Sequence, residues 1–393
     1  MTRKKSAREL EQQQKNLEYG NTKFKVFLAD IVPKEVREKQ NMKDRMVELE
    51  NLVNTYGWVV IVQHIQNKMV PDYDTFIGQG RLDEIKMEME REGANLLIIW
   101  NALKPKQIHT LNEQLVGIWA KAWDRIDLIL KIFEKNARSA EAKLQIELAS
   151  IKHMWPRIYG MWMELSKQWG WVGTRWKWET NTEIMKRHLS KKEQYIRKEL
   201  AHYWKVREQH RKGRIRKGMK TVWIVGYTNA GKSTLTNYLT NKWVLAEDKL
   251  FATLWTSVGK MFVEASYDEK TNCYIPPKEI LISDTIGFIR ELPPKLVDAF
   301  SSTLEDSIES ELLLHVVDAA DPKVEEKIEV VEEILEKIWA KQKRIYVFNK
   351  IDAVGNADLD SLKEKFEHLN PIFISAYKDI NMEAMKKLII ENI

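Results

Sequence analysis

GYTNAGKST, residues 226–234, stands between the apolar run TVWIV and the segment LTNYL. A strand, a glycine loop and a helix start are therefore expected in that order. Gly226, Gly231, Lys232 and Ser233 fit the spacing of a phosphate-cradling loop. Glycine allows backbone N–H groups to close around an anion, and the helix start adds its positive dipole end. The whole loop is a candidate contact surface: Gly226, Tyr227, Thr228, Asn229, Ala230, Gly231, Lys232, Ser233 and Thr234. Lys232 would reach the β and γ oxygens of a nucleotide, and the Ser233 hydroxyl would ligate Mg²⁺.

Three further motifs follow in order. EILISDTIGFI places Asp284, Thr285, Ile286 and Gly287 after a buried strand. Asp284 would hold Mg²⁺ through water, and the Gly287 N–H would sense the γ-phosphate. RIYVFNKID supplies Asn349, Lys350, Ile351 and Asp352. The Asp352 carboxylate can accept from guanine N1–H and its amino group, an edge that adenine lacks. PIFISAYKD supplies Ser375, Ala376 and Tyr377, where a backbone N–H would meet guanine O6. Each motif alone is weak; the four in order imply GTP and GDP as ligands, with Asn349 and Asp352 choosing guanine.

The preceding half reads differently. Residues 24–30, 58–65, 96–100 and 117–123 are expected as strands, rich in Val, Ile and aromatics, with helical spacing over 36–56 and 81–93. That order implies a small parallel sheet covered by helices. From 134 to 168, Ala137, Ala140, Leu144, Leu148 and Ile151 form an apolar stripe on a long helix, with a kink expected at Pro156. A second helix is expected from Glu179 to His210, carrying Ile184, Ile196, Leu200 and Tyr203. The expected domains are 1–133 (N-terminal α/β), 134–210 (antiparallel helical hairpin), 211–220 (basic linker) and 221–393 (nucleotide domain).

Bulk properties bound the function. The 393 residues carry a net charge of +6, a mild excess that suits either a nucleic-acid partner or an ordinary solvated surface. The run 205–220 holds eight Lys or Arg against one Glu and divides evenly between RNA phosphate contact and a hydrated linker. Cys273 is the single cysteine, so no internal disulfide forms and a reducing compartment is expected. The start of the chain lacks a signal-peptide core and no apolar run reaches membrane-helix length. The expected location is the cytoplasm.

The motifs resemble the HflX family of translation-factor-related GTPases. DKLFATL, 248–254, looks like that family's switch I, whose Phe251, Ala252, Thr253 and Leu254 would line the nucleotide, with Thr253 as a second Mg²⁺ hydroxyl. IGQGRLDEI (77–85), WDRIDLILKIF (123–133) and AKLQIELA (142–149) look like its N-terminal signatures. The resemblance implies an α/β fold: a small parallel N-terminal domain with a long helical hairpin, followed by a Ras-like P-loop GTPase domain. It implies a monomeric GTPase that binds the large ribosomal subunit and its RNA; bacterial members split stalled or idle ribosomes. Lys232, Thr253 and Gly287 are the implied catalytic residues. Phe288 and Ile289 stand where Ras-type enzymes place a water-orienting Gln, which implies slow intrinsic hydrolysis. Asn229 is of the kind that ligates K⁺ in some related GTPases; the plainer expectation is that it caps the loop. A GTP-gated binding factor with little turnover is the alternative. An ATP-driven RNA-remodelling enzyme is disfavoured by Asp352.

The chain departs from the family pattern in one respect. It has 15 Trp and only 16 Gly, against about 28 Gly at average usage. Trp169, Trp171, Trp176, Trp178, Trp223, Trp243 and Trp255 fall at or near positions where glycine or a small residue is expected. At the hairpin tip, 168–180, these tryptophans would stack on unpaired bases or distort the loop, while Arg175 and Lys177 would meet phosphate. Trp223 is expected to overpack its strand at a cost of about 1–3 kcal/mol.

Overall fold

A computed structural model of the chain describes residues 2–4, 25–32, 42–68, 70–137, 139–153, 175–240, 258–263, 266–268, 273–275, 277–284, 287–290 and 310–393. Two compact units result: residues 1–135 with 146–197, and residues 136–145 with 198–393.

In the first unit the elements run β1 (Thr2–Lys4), β2 (Lys25–Val32), α1 (Met42–Tyr56), β3 (Val59–Asn67), α2 (Gln79–Glu92), β4 (Leu96–Ile99), α3 (Pro105–Leu115), β5 (Lys121–Asp124) and α4 (Arg125–Asn136). The sheet order is β1-β3-β2-β4-β5, parallel except for β1 at the β3 edge. Val26, Phe27, Leu28, Ala29 and Ile31 of β2 are all buried. A continuous apolar run of this kind, rather than an alternating one, belongs to a strand covered on both faces. Since β3 and β4 lie on opposite sides of β2, the strand order reverses there. At the carboxyl ends of β2 and β4, Arg45 pairs with Asp30 at 3.4 Å and Arg125 with Glu48 at 2.6 Å. Both guanidinium groups lie over the Trp100 ring, at 4.9 and 4.0 Å.

The strand expected at 117–123 is shifted. α3 continues through Leu115 and a 3₁₀ turn at Val116–Ile118 before β5 begins at Lys121. Trp119 stops the turn in the left-handed region, φ +56°, a conformation that side chains resist.

The helix α5 spans 140–153 and α6 spans Arg175–Arg216. Lys192 reaches Glu147 at 2.5 Å and Arg207 reaches Glu141 at 2.9 Å, the order of antiparallel neighbours. Of the expected stripe Ala137, Leu148 and Ile151 are buried, Leu144 is half-buried and Ala140 is exposed, and Ala142, Gln145, Ile146, Ala149 and His153 are buried beside them. The buried face is wider than the expected stripe, because the polar Gln145 and His153 are buried with it. On α6, Ile196 is buried, Leu200 and Tyr203 half-buried, and Ile184 has no described side chain. Most of the basic run is helical to Arg216, and the next strand starts at Lys220, leaving only 217–219 between them. Pro156, the tip residues 168–174, and the side chains of Arg175, Trp176, Lys177 and Trp178 lie outside the described residues.

The second unit contains β6 (Lys220–Gly226), α7 (Lys232–Thr240), β7 (Val258–Val263), β8 (Ser266–Asp268), β9 (Cys273–Ile275), β10 (Lys278–Asp284), β11 (Leu312–Asp318), α8 (Val324–Lys337), β12 (Lys343–Asn349), α9 (Asn356–Lys365), β13 (Ile372–Phe373) and α10 (Met382–Glu391). Its main sheet is ordered β13-β12-β11-β6-β10-β7. Only β7 runs antiparallel among these pairings, and β8 with β9 forms a separate hairpin. β6 thus sits centrally, so the loop after it opens at the middle of the carboxyl edge. Trp223 on β6 is only 2% exposed and packs with Val225, Tyr227, Phe288, Leu313, Val331, Leu335 and Ala340. The layer that surrounds the indole includes the small Ala340. Trp243 and Trp255 lie outside the described residues.

Candidate functional site

The loop leaving β6 depends on its glycines for two specific close approaches. At Gly226, φ is +152° and a Cβ would stand 2.2 Å from the Val316 carbonyl oxygen. At Gly231, φ is +88° and a Cβ would stand 2.2 Å from Asn349 Nδ2. Asn229 between them is also left-handed, φ +64°, a conformation Asn tolerates better than most residues.

Asn349 uses the space that Gly231 leaves. Its Nδ2 donates to the Ala230 carbonyl at 3.0 Å, and its Oδ1 accepts from the Ala376 N–H at 3.0 Å. The buried amide therefore ties the phosphate loop to the 375–377 loop, a bracing role beyond the base selection expected of it. Asp352 is exposed, and its Oδ1 accepts from the Ser375 hydroxyl at 2.6 Å. Ser375 Oγ in turn accepts from the Lys378 N–H at 3.0 Å. Lys350 is left-handed, φ +66°, and its ammonium reaches Asp318 at 2.7 Å. Ile351 donates its N–H to Ile374 at 3.3 Å, and Tyr377 is exposed beyond Ala376. The base-end residues are thus brought together as one ledge beside the loop.

At the phosphate end, Lys232 is buried and donates to the Tyr227 carbonyl at 2.7 Å. Burial pulls its ammonium down to about 8, Asp284 opposing the shift and Lys350 adding to it. The Ser233 hydroxyl donates to Asp284 Oδ2 at 2.8 Å. An octahedral Mg²⁺ with bonds of about 2.0–2.1 Å spaces adjacent oxygens by about 2.9 Å. The Ser233 hydroxyl is placed where it would ligate such an ion, with the Asp284 carboxylate beside it where it would hold one of the ion's waters. Thr228 Oγ1 is buried with no hydrogen-bond partner among the described residues, a donor suited to an anion seated in the loop.

Gly287 sits hard against this loop. A Cβ on Gly287 would come within 2.8 Å of Thr228 Cα and 2.9 Å of Lys232 Nζ. Phe288 donates its N–H to Gly226 O at 3.2 Å and accepts from Thr228 N–H at 2.9 Å. Its ring lies in the Trp223 cluster, and Ile289 is fully buried. The position where other GTPases orient water is therefore a core position. The sequence reading did not anticipate Arg290, whose N–H donates to Tyr227 Oη at 3.0 Å and whose guanidinium meets Glu326 at 2.6 Å. Nor did it find the buried His315, held by Glu332 at 2.9 Å; both are contacts across long sequence separation with no local signature. Phe251, Ala252, Thr253, Leu254, Thr285 and Ile286 lie outside the described residues.

Family models match along the chain: a GTP-binding GTPase N-terminal region over 43–134, a GTP-binding GTPase middle region over 136–214, and a 50S ribosome-binding GTPase over 221–350. The GTPase HflX of Caldanaerobacter subterraneus subsp. tengcongensis is 37% identical over 377 residues, spanning 93% of this chain and 83% of its own. That of Escherichia coli K12 is 35% identical, spanning 86% and 76%. The archaeal HflX of Methanocaldococcus jannaschii is 34% identical, spanning 88% and 82%. A crystal structure of SsGBP with GDP superposes with a TM-score of 0.52 at 27% identity, covering 93% of this chain and 98% of that one. With family models over 43–134, 136–214 and 221–350 and HflX relatives 34–37% identical over most of both lengths, the chain belongs to the HflX family of GTPases.

Proposed function

We propose that the protein binds GTP and Mg²⁺, hydrolyses GTP slowly, and in its GTP state docks an N-terminal RNA-reading unit on the large ribosomal subunit. The observation that carries this reading is the bracing of the phosphate loop to the guanine ledge through Asn349, within a chain whose relatives match both units. The N-terminal α/β domain, the helical hairpin running to Arg216 and the nucleotide domain from Lys220 onward would then divide the labour, with the hairpin tip as the RNA-facing part.

Each site residue has a role in this reading. The loop 226–234 cradles the phosphates, with Lys232 neutralising the β and γ oxygens. Ser233, Asp284 and Thr253 hold Mg²⁺, which when bound supplies charge neutralisation between the phosphates. Gly287 couples the γ-phosphate to switch II. Its tight seat against Thr228 and Lys232 means that a bound triphosphate must move this segment. Asp352 selects guanine, Asn349 holds the two loops at a fixed spacing, and Ser375 fixes the rotamer of Asp352. Phe251, Ala252, Leu254 and Tyr377 line the nucleotide. Asn229 is the candidate K⁺ ligand; turnover higher in KCl than in NaCl at equal ionic strength would support it, and equal rates would remove it.

Co-sedimentation with purified ribosomal subunits in GTP, GDP and no nucleotide tests the central reading. GTP-dependent pelleting with the large subunit is expected; indifference to nucleotide overturns it. Among the described residues no helix is long and apolar enough to cross a membrane, and a ribosomal partner would place a monomeric protein in the cytoplasm.

The buried Phe288 favours a second reading, a GTP-gated binding factor that hardly turns over. Steady-state hydrolysis with and without large subunits separates the two, stimulation favouring the enzyme.

A further inference from the structure

Where β5 meets α4, three side chains converge outside the nucleotide site. Asp124 ends β5 and is fully buried, Asp127 lies in the first turn of α4, and His153 closes the described part of α5, 9% exposed. Among the described residues this is the group of His, Cys, Asp and Glu whose ligand atoms lie close enough to share a metal ion, all within 4.8 Å of one another.

The two carboxylates are oriented before any ion arrives. The Asp127 N–H donates to Asp124 Oδ1 at 2.9 Å, and the Asp124 N–H donates to Asp127 Oδ2 at 3.0 Å. This is a reciprocal cap on the helix start, in the manner of a capping box. The Leu103 N–H donates to Asp124 Oδ2 at 3.2 Å. Outer hydrogen bonds of this kind fix the direction of metal ligands. The Oδ1 atoms then face the imidazole, with His153 Nε2 at 3.5 Å from Asp124 and 3.2 Å from Asp127.

Both contacts are of ion-pair length, and the same spacing suits a shared cation. A charge-assisted hydrogen bond between imidazolium and carboxylate would be about 2.7–2.9 Å. A tetrahedral ion with bonds of about 2.0–2.1 Å separates its ligands by about 3.3 Å. The two His153 edges lie near the second, and all three ligand atoms lie within 4.8 Å of one another. Asp124 is fully buried and Asp127 half-buried, and a divalent cation would offset the repulsion between the two carboxylates. The neighbouring Arg125 guanidinium lies on Glu48, 2.6 Å away.

We propose that Asp124, Asp127 and His153 form a divalent-cation site of the zinc class, each giving one ligand atom and a water completing the shell. An imidazole with two carboxylates selects Zn²⁺ over Mg²⁺, which prefers an octahedron of oxygens. The ion fastens the end of α5 to the β5–α4 junction.

The test uses the full chain loaded with GDP and Mg²⁺, so that Ser233 and Asp284 are occupied, then stripped of transition metal. Zn²⁺ is titrated by calorimetry and Co²⁺ by visible absorption. One equivalent should bind, with the strong d–d bands of four-coordinate cobalt. Asp127→Asn keeps an oxygen for the Asp124 N–H, and should weaken Zn²⁺ at least about tenfold. His153→Ala should abolish binding, and GDP affinity should be unchanged in both. No uptake of Zn²⁺ by the parent, or equal uptake by parent and variants, overturns the site. If His153→Ala does not fold, His153→Gln and Asp127→Asn decide on the same criteria.

Discussion

The two parallel sheets carry buried charge at the same place, the carboxyl edge, and use it in opposite ways. In the second unit the edge opens through Gly226 and Gly231, whose missing side chains let backbone and Asn349 approach. Its helix start receives a lysine, Lys232, rather than an acid. In the first unit the loop amides are already engaged: Leu103 N–H by Asp124, Lys104 N–H by Gln107 at 3.0 Å, and Asp127 N–H by Asp124. Trp100 and two paired arginines fill the crevice beside them. One edge therefore offers donors to an anion, and the other presents carboxylates suited to a cation. Strand order places a crevice at the sheet edge, but the residue types in the loops decide what enters it.

The sharpest way to break this contrast is Gly231→Ala. The added methyl meets Asn349 Nδ2 at φ +88°, and Asn349 is held at both ends. GDP affinity should fall by more than about 100-fold, on the order of 3 kcal/mol, read by fluorescent-nucleotide titration. Trp100→Leu, at the other edge, should lower stability while leaving that affinity unaltered. Loss of GDP binding in Trp100→Leu would mean that the two edges do not act separately.

Next in size is Asp352→Asn. Removing the carboxylate should cut the preference for GTP over ATP by about 2–3 kcal/mol, measured by competition. An unchanged ratio would place selectivity elsewhere.

The Lys232 ammonium supplies a smaller, pH-dependent effect. Burial lowers its ionisation to about 8, so above that pH the free protein loses the charge that receives phosphate. Nucleotide affinity should be flat below pH 8 and fall above it, by up to about tenfold per unit. The stability linkage runs the other way. A lysine whose folded value is lowered burdens the fold below about 8, and this burden is relieved as pH rises toward the unfolded value of 10.5.

The smallest effect is one the units share. Trp119 and Trp339 each follow a helical turn in the left-handed region, at φ +56° and +60°, and are 92% and 73% exposed. Each is followed by a residue whose N–H closes the turn, Ala120 onto Leu115 at 3.2 Å and Ala340 onto Leu335 at 3.0 Å. Glycine suits that position. Relief of strain, less the added freedom of the unfolded chain, gives about 0.5–1 kcal/mol of stabilisation for Trp119→Gly or Trp339→Gly. Urea denaturation monitored by circular dichroism checks this. A gain confined to one unit would show that the two turns are held differently.

What the sequence determined by itself was the second unit's GTPase domain and the order of its motifs. Its residues act through backbone placement at short spacing, so GYTNAGKST, DTIG, NKID and SAY could be read in order without knowing the fold. The parallel sheet of the first unit was also legible, because strands covered on both faces are apolar throughout. Beyond that reach lay the buried Gln145 and His153 of α5, the shifted β5, and the Asp124–Asp127–His153 convergence. Each depends on polar side chains that a hydrophobic pattern discards, or on residues brought together from separate elements. Asn349 shows the same division within one residue. Its motif was plain in the chain, but its bracing of two loops exists only after folding, because the space it fills belongs to Gly231, 118 positions away.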